Sequence, residues 1–371
     1  MIYLDYAANT PADPAVLDAF CQTERRFIGN PNAAHPAGQA ARAEMARVTD
    51  SIASLLNVSP QEIIYTSGAS ESNNLAIKGM VQTGRHIITT PLEHASVAGA
   101  LSALGRQGCA VDVVDVRRDG TVDIEHLHTL LRQDTALVCV CAVDSELGAV
   151  QPIPEIAELL QGYPHCRLHV DATQAVGRTE PIWRDADTVS LAPHKFYGLN
   201  GCGLLLKKKN LALEPLIHGG GSTTPYRSGT PALGLAVSAE TALRLALENQ
   251  PQRTARVKAL NQQLRAGLSG YSAVCINSPD DAVPNILNLS VRGVKGTVFQ
   301  RALASYGVCV SVKSACSTDG APSQAVYAVS RDRRNALSSW RISLSHLTTE
   351  AEIAAFLEIF QRCYQELVPQ G

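Results

Sequence analysis

The chain has 371 residues, of which 45% are hydrophobic and 18% are charged, and its formal net charge is -2. This length exceeds the ~100–200 residues of one typical domain, so a large domain with a smaller companion is expected. The balanced charge argues against direct nucleic-acid binding, and no apolar run approaches the ~18 residues that cross a membrane. Because the N-terminus lacks a basic region followed by an apolar run, the protein is expected in the cytoplasm.

Short runs rich in β-branched residues alternate with helical patterns between about residues 62 and 206. In chain order these runs are EIIYT, HIITT, AVDVVDV, ALVCVCAV, CRLHVDA, TVSLA and GLLLKK. The alternation predicts α/β architecture with a mostly parallel sheet. After about residue 245, helical patterns mix with the strand-like segments NILNLSV, VCVSV and SWRISLS, which suits an α+β domain. We therefore predict a large domain of residues 13–245 and a small domain of residues 1–12 and 246–371.

Polar segments follow several predicted strands, at the end of the sheet where open parallel sheets bind ligands. The first is SGASES, a turn of small residues before a helix, and its backbone N–H groups around residues 68–70 could hold a phosphate. A simple helix cap is the alternative interpretation of this turn. The second is TTPLEHASV, which puts His94 beyond a strand, where an imidazole can stack on a ring and move protons.

Two further polar residues, Asp171 and Lys195, follow the next strands and are 24 residues apart. That separation fits a short crossover between neighbouring strands, so both side chains can face one crevice. Taken singly, Asp171 could be a helix cap and Lys195 an exposed turn residue. Together they have a chemical logic, because a lysine amine binds an aldehyde cofactor covalently and an aspartate keeps a pyridine nitrogen protonated. The pair predicts pyridoxal 5'-phosphate (PLP) as the cofactor.

The ten cysteines are scattered along the chain and are interpreted as reduced thiols. Cys139 and Cys141 come nearest to a metal-binding spacing, but they lie in an apolar run and are predicted to pack in the core, so no metal site is expected. Cys316 opens a stretch with Gly, Pro and Ser that predicts a loop. From its position alone, Cys316 is equally consistent with a buried, inert thiol and with a mobile, reactive thiol. Cys309, in an apolar strand, is interpreted as a packing residue.

The chain resembles the cysteine desulfurases, which belong to the class-V aminotransferase group of fold type I PLP enzymes, along nearly its whole length. The matching segments occur in the family's order: IYLDYAANTP, GNPNAAH, YTSGASESNNLAIKG, TPLEHASV, HVDATQAVG, PHKFYG, HGGG, RSGTP, SACS and SSWRISLSHLTTE. The resemblance implies the fold type I architecture and a role for each matching residue.

The resemblance implies four contacts with the cofactor ring. Lys195 would bind the cofactor covalently, and His94 would stack on the ring and serve in catalysis. Asp171 would pair with the ring nitrogen, while Gln174 would contact the phenolic oxygen.

The resemblance also implies how the phosphate is bound. Ala69, Ser70 and His194 would hold it within one subunit. Thr230 would reach the phosphate of the neighbouring subunit, so a homodimer with composite sites is expected.

The resemblance further implies that Cys316 is the sulfur-accepting nucleophile and that Arg341 holds the substrate carboxylate through its planar guanidinium. The expected reaction converts L-cysteine to L-alanine and leaves a persulfide on Cys316. An acceptor protein, in iron–sulfur cluster assembly or a thiolation pathway, would then receive the sulfur. A surface ion pair is the alternative interpretation of Arg341.

The sequence departs from the family's pattern at two cofactor contacts. Ser145 stands in the DSELG turn where the family usually has Asn, and Ala192 stands where a phosphate-binding Ser or Thr usually precedes the His-Lys pair. Losing one hydrogen bond to a charged group costs about 1.5–3 kcal/mol, or roughly ten- to a hundredfold in affinity. Looser PLP binding than is usual for the family is therefore expected.

Other interpretations stay open at this point. The same fold and cofactor could serve a selenocysteine lyase, an aminotransferase or another lyase, although Cys316 argues against a simple aminotransferase. A non-catalytic scaffold or regulatory subunit is disfavoured by the joint retention of Lys195, Asp171, His94 and Cys316. A metal-binding cysteine protein is the weakest alternative, because the sequence has no CxxC pair.

Overall fold

The computed structural model describes residues 1–181, 184–313 and 321–368. The strands are β1 (Ile2–Tyr3), β2 (Ile63–Thr66), β3 (His86–Thr89), β4 (Ala110–Val113), β5 (Thr135–Cys141), β6 (Arg167–Asp171), β7 (Thr188–Leu191), β8 (Gly203–Lys207), β9 (Val274–Ile276), β10 (Ile286–Val291), β11 (Val308–Cys309) and β12 (Ser339–Ser343). The α-helices are α1 (Pro14–Arg26), α2 (Pro36–Leu56), α3 (Ala69–Met80), α4 (Ala95–Arg106), α5 (Ile124–Leu130), α6 (Ile153–Leu160), α7 (Leu233–Glu248), α8 (Gln250–Leu268), α9 (Gly296–Ser305), α10 (Gln324–Ser330), α11 (Arg333–Ser338) and α12 (Glu350–Leu367). Short 3-10 helices span Pro60–Glu62 and Pro193–Lys195.

The largest sheet has seven strands in the order β2-β8-β7-β6-β5-β3-β4. Strands β4, β3, β5, β6 and β7 run parallel, whereas β8 is antiparallel to both β7 and β2. The predicted α/β class with a mostly parallel sheet is confirmed. Strands β6 and β7 are direct neighbours, with Asp171 opposite Ser190. The residues that follow these two strands therefore lie at the same edge of the sheet.

Helices cover the sheet, which explains why its strands are apolar without alternation. Helix α3 packs against β6, β7 and β8, and all four residues of β7 and all five of β8 are buried. Helix α3 begins directly after β2, so its N-terminus lies beside the ends of the central strands. The fold thus brings a helix N-terminus to the edge where polar residues follow β6 and β7.

A second core lies outside this sheet and combines the start of the chain with its later part. Strands β9, β10 and β12 form an antiparallel sheet, and β1 pairs in parallel with β11. The core packs Leu4 with aromatic residues of α9, α12 and β12, and the rings of Phe299 and Trp340 stack with centroids 5.4 Å apart. The domain boundaries predicted after residues 12 and 245 stay a prediction.

Within residues 1–181, 184–313 and 321–368, no helix is both long and apolar enough to cross a bilayer. In the same ranges, no group of three His, Cys, Asp or Glu side chains could hold a metal ion. Cys139 and Cys141 are free thiols buried on β5, as predicted, and burial raises the pKa of each well above its ordinary value.

Candidate active site

A cavity of about 370 Å³ lies where the polar residues follow the central strands. Its volume lies within the range typical of small-molecule and cofactor sites, ~300–1,000 Å³. Nine residues predicted from the sequence line it: Ala69, Ser70, His94, Ser145, Asp171, Gln174, His194, Lys195 and Arg341. Thr230 is exposed on a loop and does not line this cavity. Cys316 lies outside the described residues, so the structure gives no account of its place.

Lys195 ends the short 3-10 helix that follows β7. Its amine donates hydrogen bonds to the backbone carbonyl oxygens of Ala7, at 2.9 Å, and of Ala8. Thr10 holds the turn in place, because its backbone N–H and its hydroxyl both donate to the carbonyl oxygen of His194, at 3.0 and 2.9 Å. The N-terminal segment thus forms one wall of the cavity and fixes the lysine that projects into it.

The amine of Lys195 is a far better nucleophile and base at neutral pH than an ordinary lysine. Burial lowers its pKa from 10.5 to about 8, and the positive charges of Arg341 and Arg178 act in the same direction. The negative charges of Asp5 and Asp171 oppose this shift without cancelling it. At pH 7, roughly one amine in ten is therefore neutral, against fewer than one in a thousand for an unperturbed lysine.

Asp171 ends β6 and offers a carboxylate to the cavity. Its Oδ1 accepts a hydrogen bond from the backbone N–H of Thr173 at 3.0 Å, and its Oδ2 accepts one from the side-chain amide of Asn73 at 2.8 Å. These two hydrogen bonds hold the carboxylate in one orientation. Asp171 can therefore present a fixed negative charge to a cationic group in the cavity.

His94 caps the N-terminus of α4 and lines the same cavity. Its Nδ1 accepts a hydrogen bond from the backbone N–H of Ser96 at 3.2 Å, so the proton of the neutral ring sits on Nε2. Burial lowers the pKa of His94, Asp171 raises it and Lys195 lowers it, with a net downward shift. The imidazole is therefore neutral at pH 7 and has one defined tautomer.

The start of α3 has the properties of an anion-binding site. The preceding residue, Gly68, has φ +152°, a conformation that is essentially restricted to glycine. A Cβ atom on Gly203 of β8 would lie only 2.5 Å from the Cα of Gly68, so the strand and the turn approach too closely for a side chain. The N-cap residue Gly68 has no side chain that could cap this helix, and the backbone N–H groups of Ala69 and Ser70 suit a phosphate.

Glu71 also lines the cavity, beside this anion-binding turn. Its carboxylate accepts hydrogen bonds from the guanidinium of Arg227 at 2.9 Å and from the backbone N–H of Ser67 at 2.7 Å. Burial acts to raise the pKa of Glu71, but these bonds outweigh burial and lower it. Arg227 thus compensates a negative charge that would otherwise repel a phosphate.

Gln174 is oriented by a buried cation, Arg178. The side-chain amide of Gln174 donates to the carbonyl oxygen of Ala7 at 2.9 Å, while its oxygen accepts a hydrogen bond from Arg178. Arg178 also donates to the carbonyl oxygen of Lys195 at 3.3 Å, and burial lowers its pKa to about 10. Because one N–H of the Gln174 amide already donates to Ala7, its second N–H is left to donate to a ligand.

Arg341 on β12 is only 2% exposed, so the surface ion pair considered from the sequence is wrong. Its guanidinium donates to Asp5 at 2.9 Å and to the backbone carbonyl oxygen of Ser145 at 2.7 Å. Its Nε has no hydrogen-bond partner in the part of the chain that the structure describes. Because an unpaired buried donor is costly, this atom is a natural contact for a carboxylate ligand.

Sequence reasoning missed several residues that shape this site, namely Asp5, Glu71, Asn73 and Arg178. The first three fall within the motifs IYLDYAANTP and YTSGASESNNLAIKG, so the sequence did mark their positions. It did not identify the residues with which they pair. Arg178 follows the motif HVDATQAVG directly and gave no signal of its own.

Comparisons with known proteins agree with this geometry. A family model described as aminotransferase class-V matches residues 2–356. The cysteine desulfurase IscS of Dechloromonas aromatica is 37% identical, over 95% of this chain and 89% of the relative. A solved structure described as a NifS-like protein superposes with a TM-score of 0.91 at 32% identity and covers 99% of this chain and 100% of its own. Another, described as SspA in complex with cysteine, has a TM-score of 0.80 at 30% identity and covers 94% of this chain and 100% of its own.

Proposed function

Because the chain belongs to the class-V aminotransferase family, we propose that it is a PLP-dependent cysteine desulfurase. The enzyme takes sulfur from L-cysteine, releases L-alanine and passes the sulfur through a cysteine of its own chain to an acceptor protein. One observation carries the proposal: the lysine with a lowered pKa, the hydrogen-bonded Asp171, the uncapped start of α3 and the buried Arg341 all line one cavity.

The residues of this cavity fit PLP. Lys195 would bind the aldehyde group, and Asp171 would pair with the ring nitrogen. The backbone N–H groups of Ala69 and Ser70, with His194, would hold the phosphate. When bound, PLP supplies an electron sink that acidifies the α-proton of an amino acid.

His94 and Gln174 would make two further contacts with the cofactor ring. The neutral imidazole of His94 would stack on the ring face, and its Nε2–H would be available for proton transfer. Gln174 would donate its second N–H to the phenolic oxygen, because its first N–H donates to Ala7 and its oxygen accepts from Arg178. Ser145 lies on the wall of the cavity as predicted, and its shorter side chain leaves more space beside the ring than an asparagine would.

Arg341 binds the carboxylate of L-cysteine. Its Nε and its two terminal nitrogens form a planar set of donors that suits two carboxylate oxygens. A substrate carboxylate shares this guanidinium with Asp5, so the existing ion pair holds the side chain in place before the substrate arrives. The free amine of Lys195 would take the α-proton of the substrate at its Nζ, a task that a pKa of about 8 suits.

Cys316 accepts the sulfur. Its thiolate attacks the sulfur of the bound substrate, a sulfur–sulfur bond forms, and the carbon–sulfur bond of the substrate breaks. The electron pair of that bond stays with the substrate carbon, which gains a proton and leaves as L-alanine. Thr230, in the exposed loop segment RSGTP, would contact the phosphate of a neighbouring subunit in the proposed homodimer.

The proposal is tested by measuring sulfide and alanine release from L-cysteine and a reductant, with purified protein whose visible absorption spectrum has been recorded. We expect a yellow protein that yields both products in equal amounts. A yellow protein that is inert toward L-cysteine but active on L-selenocysteine would instead support the selenocysteine lyase interpretation.

The lowered pKa of Lys195 predicts how PLP incorporation depends on pH. Because only the neutral amine is nucleophilic, incorporation into PLP-free protein is expected to accelerate as the pH rises and to be half-maximal near pH 8. The measurement is the initial rate at which the visible absorption band appears across the pH range. A rate that keeps rising toward pH 10.5, the ordinary value, would contradict the account.

Replacing Ala192 with serine is expected to tighten PLP binding. Ala192 is fully buried between β7 and the helix that carries His194 and Lys195, where relatives of this family supply a phosphate-binding hydroxyl. One added bond to the phosphate predicts a gain of roughly ten- to a hundredfold in affinity. Ala186→Ser, a buried position before the other end of β7, is the matched control, and equal affinities of both variants and wild type would refute the prediction.

A further inference from the structure

A buried hydrogen-bond network lies beneath the cavity and centres on Asn73 of α3. Asn73 is fully buried, and its Nδ2 donates to Asp171 Oδ2 and to Ser96 Oγ, each at 2.8 Å. Its Oδ1 lies 3.0 Å from Nε2 of His169. One amide therefore joins the carboxylate at the end of β6 to the start of α4.

The charge of Asp171 fixes the orientation of this amide. An ionised carboxylate only accepts hydrogen bonds, so the nitrogen of Asn73 must face it and the oxygen must face His169. His169 is fully buried, and burial lowers its pKa to about 4, so its neutral ring carries one proton, on Nε2. Its Nδ1 then accepts from the hydroxyl of Thr188 at 2.8 Å.

The second branch of the network determines the tautomer of His94. Because Ser96 Oγ accepts from Asn73, its own proton is free to point toward Nδ1 of His94, 2.8 Å away. The backbone N–H of Ser96 donates to the same Nδ1. Two donors at Nδ1 keep the proton of His94 on Nε2.

We propose that Asn73 is a positioning residue for two of the side chains that contact the cofactor ring. It orients Asp171 directly and His94 through Ser96. This inference rests on the proposed function, because it assigns Asp171 to the ring nitrogen and His94 to the ring face. Without the amide, the carboxylate of Asp171 keeps one hydrogen bond from the described residues, that from the backbone N–H of Thr173. The carboxylate would then hold the ring nitrogen less firmly, and the Ser96 hydroxyl would lose the donor that directs its proton toward Nδ1 of His94.

The test compares Asn73→Leu, which preserves bulk and removes both donors, with Asn261→Leu as the matched control. Asn261 is also buried and also has both ends of its amide hydrogen-bonded, donating to Pro284 and accepting from Arg265, but it lies on α8 away from the cavity. Equilibrium dissociation constants for PLP are measured on PLP-free proteins whose folding has been verified by circular dichroism. We expect roughly tenfold or greater weakening for Asn73→Leu and no change beyond about twofold for Asn261→Leu.

A spectroscopic measurement separates positioning from a general structural role. The visible absorption of bound PLP is titrated with pH, and its midpoint is expected to rise in Asn73→Leu only. The physical reason is electrostatic. When the ring nitrogen carries its positive charge less of the time, it repels the proton on the lysine–cofactor linkage less strongly, so that proton is lost at a higher pH. Ser96→Ala removes the hydroxyl branch to His94 alone and is expected to weaken PLP binding by a smaller factor than Asn73→Leu.

Several outcomes would overturn the inference. The first is a folded Asn73→Leu with the PLP affinity and pH midpoint of wild type. Should Asn73→Leu not fold, an unchanged PLP affinity in Ser96→Ala would overturn the coupling to His94. A wild-type protein that does not bind PLP would refute the proposed function itself, and the wild-type measurement made beside the variants distinguishes that failure from the others.

Discussion

Lys195→Ala is expected to lose the visible absorption of bound PLP and to reduce sulfide release from L-cysteine by roughly a thousandfold or more. The reason is that the proposed mechanism uses Lys195 twice, as the covalent anchor of the cofactor and as the base that takes the α-proton of the substrate. Its amine is suited to both tasks because burial and the neighbouring arginines lower its pKa to about 8. Absorption spectra of the purified proteins and product assays under saturating PLP provide the measurement.

Lys207→Ala is the matched control for this experiment. Lys207 on β8 is also buried, and burial also lowers its pKa. Its amine, however, donates to the carbonyl oxygens of Lys208 and Lys209 and does not line the cavity. We expect Lys207→Ala to remain yellow and active. A Lys195→Ala protein that keeps the absorption band and the activity of wild type would show that the cofactor lysine has been misassigned.

Cys316→Ser is expected to keep the absorption of bound PLP and to lose sulfide release by roughly a hundredfold or more. The substitution preserves size, but a serine hydroxyl does not ionise near neutral pH and does not replace a thiolate in attack on sulfur. Because the cavity residues that hold the cofactor are unchanged, PLP affinity should stay within about twofold of wild type. The spectrum and the product assay therefore separate cofactor binding from sulfur transfer.

Cys309→Ser is the matched control for Cys316. Cys309 on β11 is a free thiol paired in register with Tyr3 of β1, and it does not line the cavity. It should retain activity with at most a modest loss of stability. If Cys309→Ser lost sulfide release while Cys316→Ser kept it, the nucleophile would be the other cysteine.

The fold could be predicted from the sequence wherever local patterns determine the structure. Alternating strand and helix patterns predicted the parallel sheet, and the 24 residues between Asp171 and Lys195 correctly indicated that β6 and β7 are neighbours. The reversed direction of β8 could not be predicted, because an apolar run that is buried on both faces carries no sign of its direction.

The candidate site could be predicted only in part, for a related physical reason. Residues that follow strands or carry motifs were identifiable, and nine of them line the cavity. Their partners were not, because these partners come from distant parts of the chain. Asp5 and Arg341, whose side chains pair, are 336 residues apart, and Asn73 reaches Asp171 across 98 residues. No local spacing rule connects such residues, so only the folded chain identifies the pairs.

The most direct test of the central claim is the mass of the peptide that contains Cys316 after wild-type protein has reacted with L-cysteine in the absence of reductant. The account predicts that this peptide gains the mass of one sulfur atom, that a reductant removes it, and that alanine forms in the same amount. Alanine formation without added sulfur on Cys316, or with sulfur on a different cysteine, would contradict the claim that this enzyme transfers sulfur through Cys316.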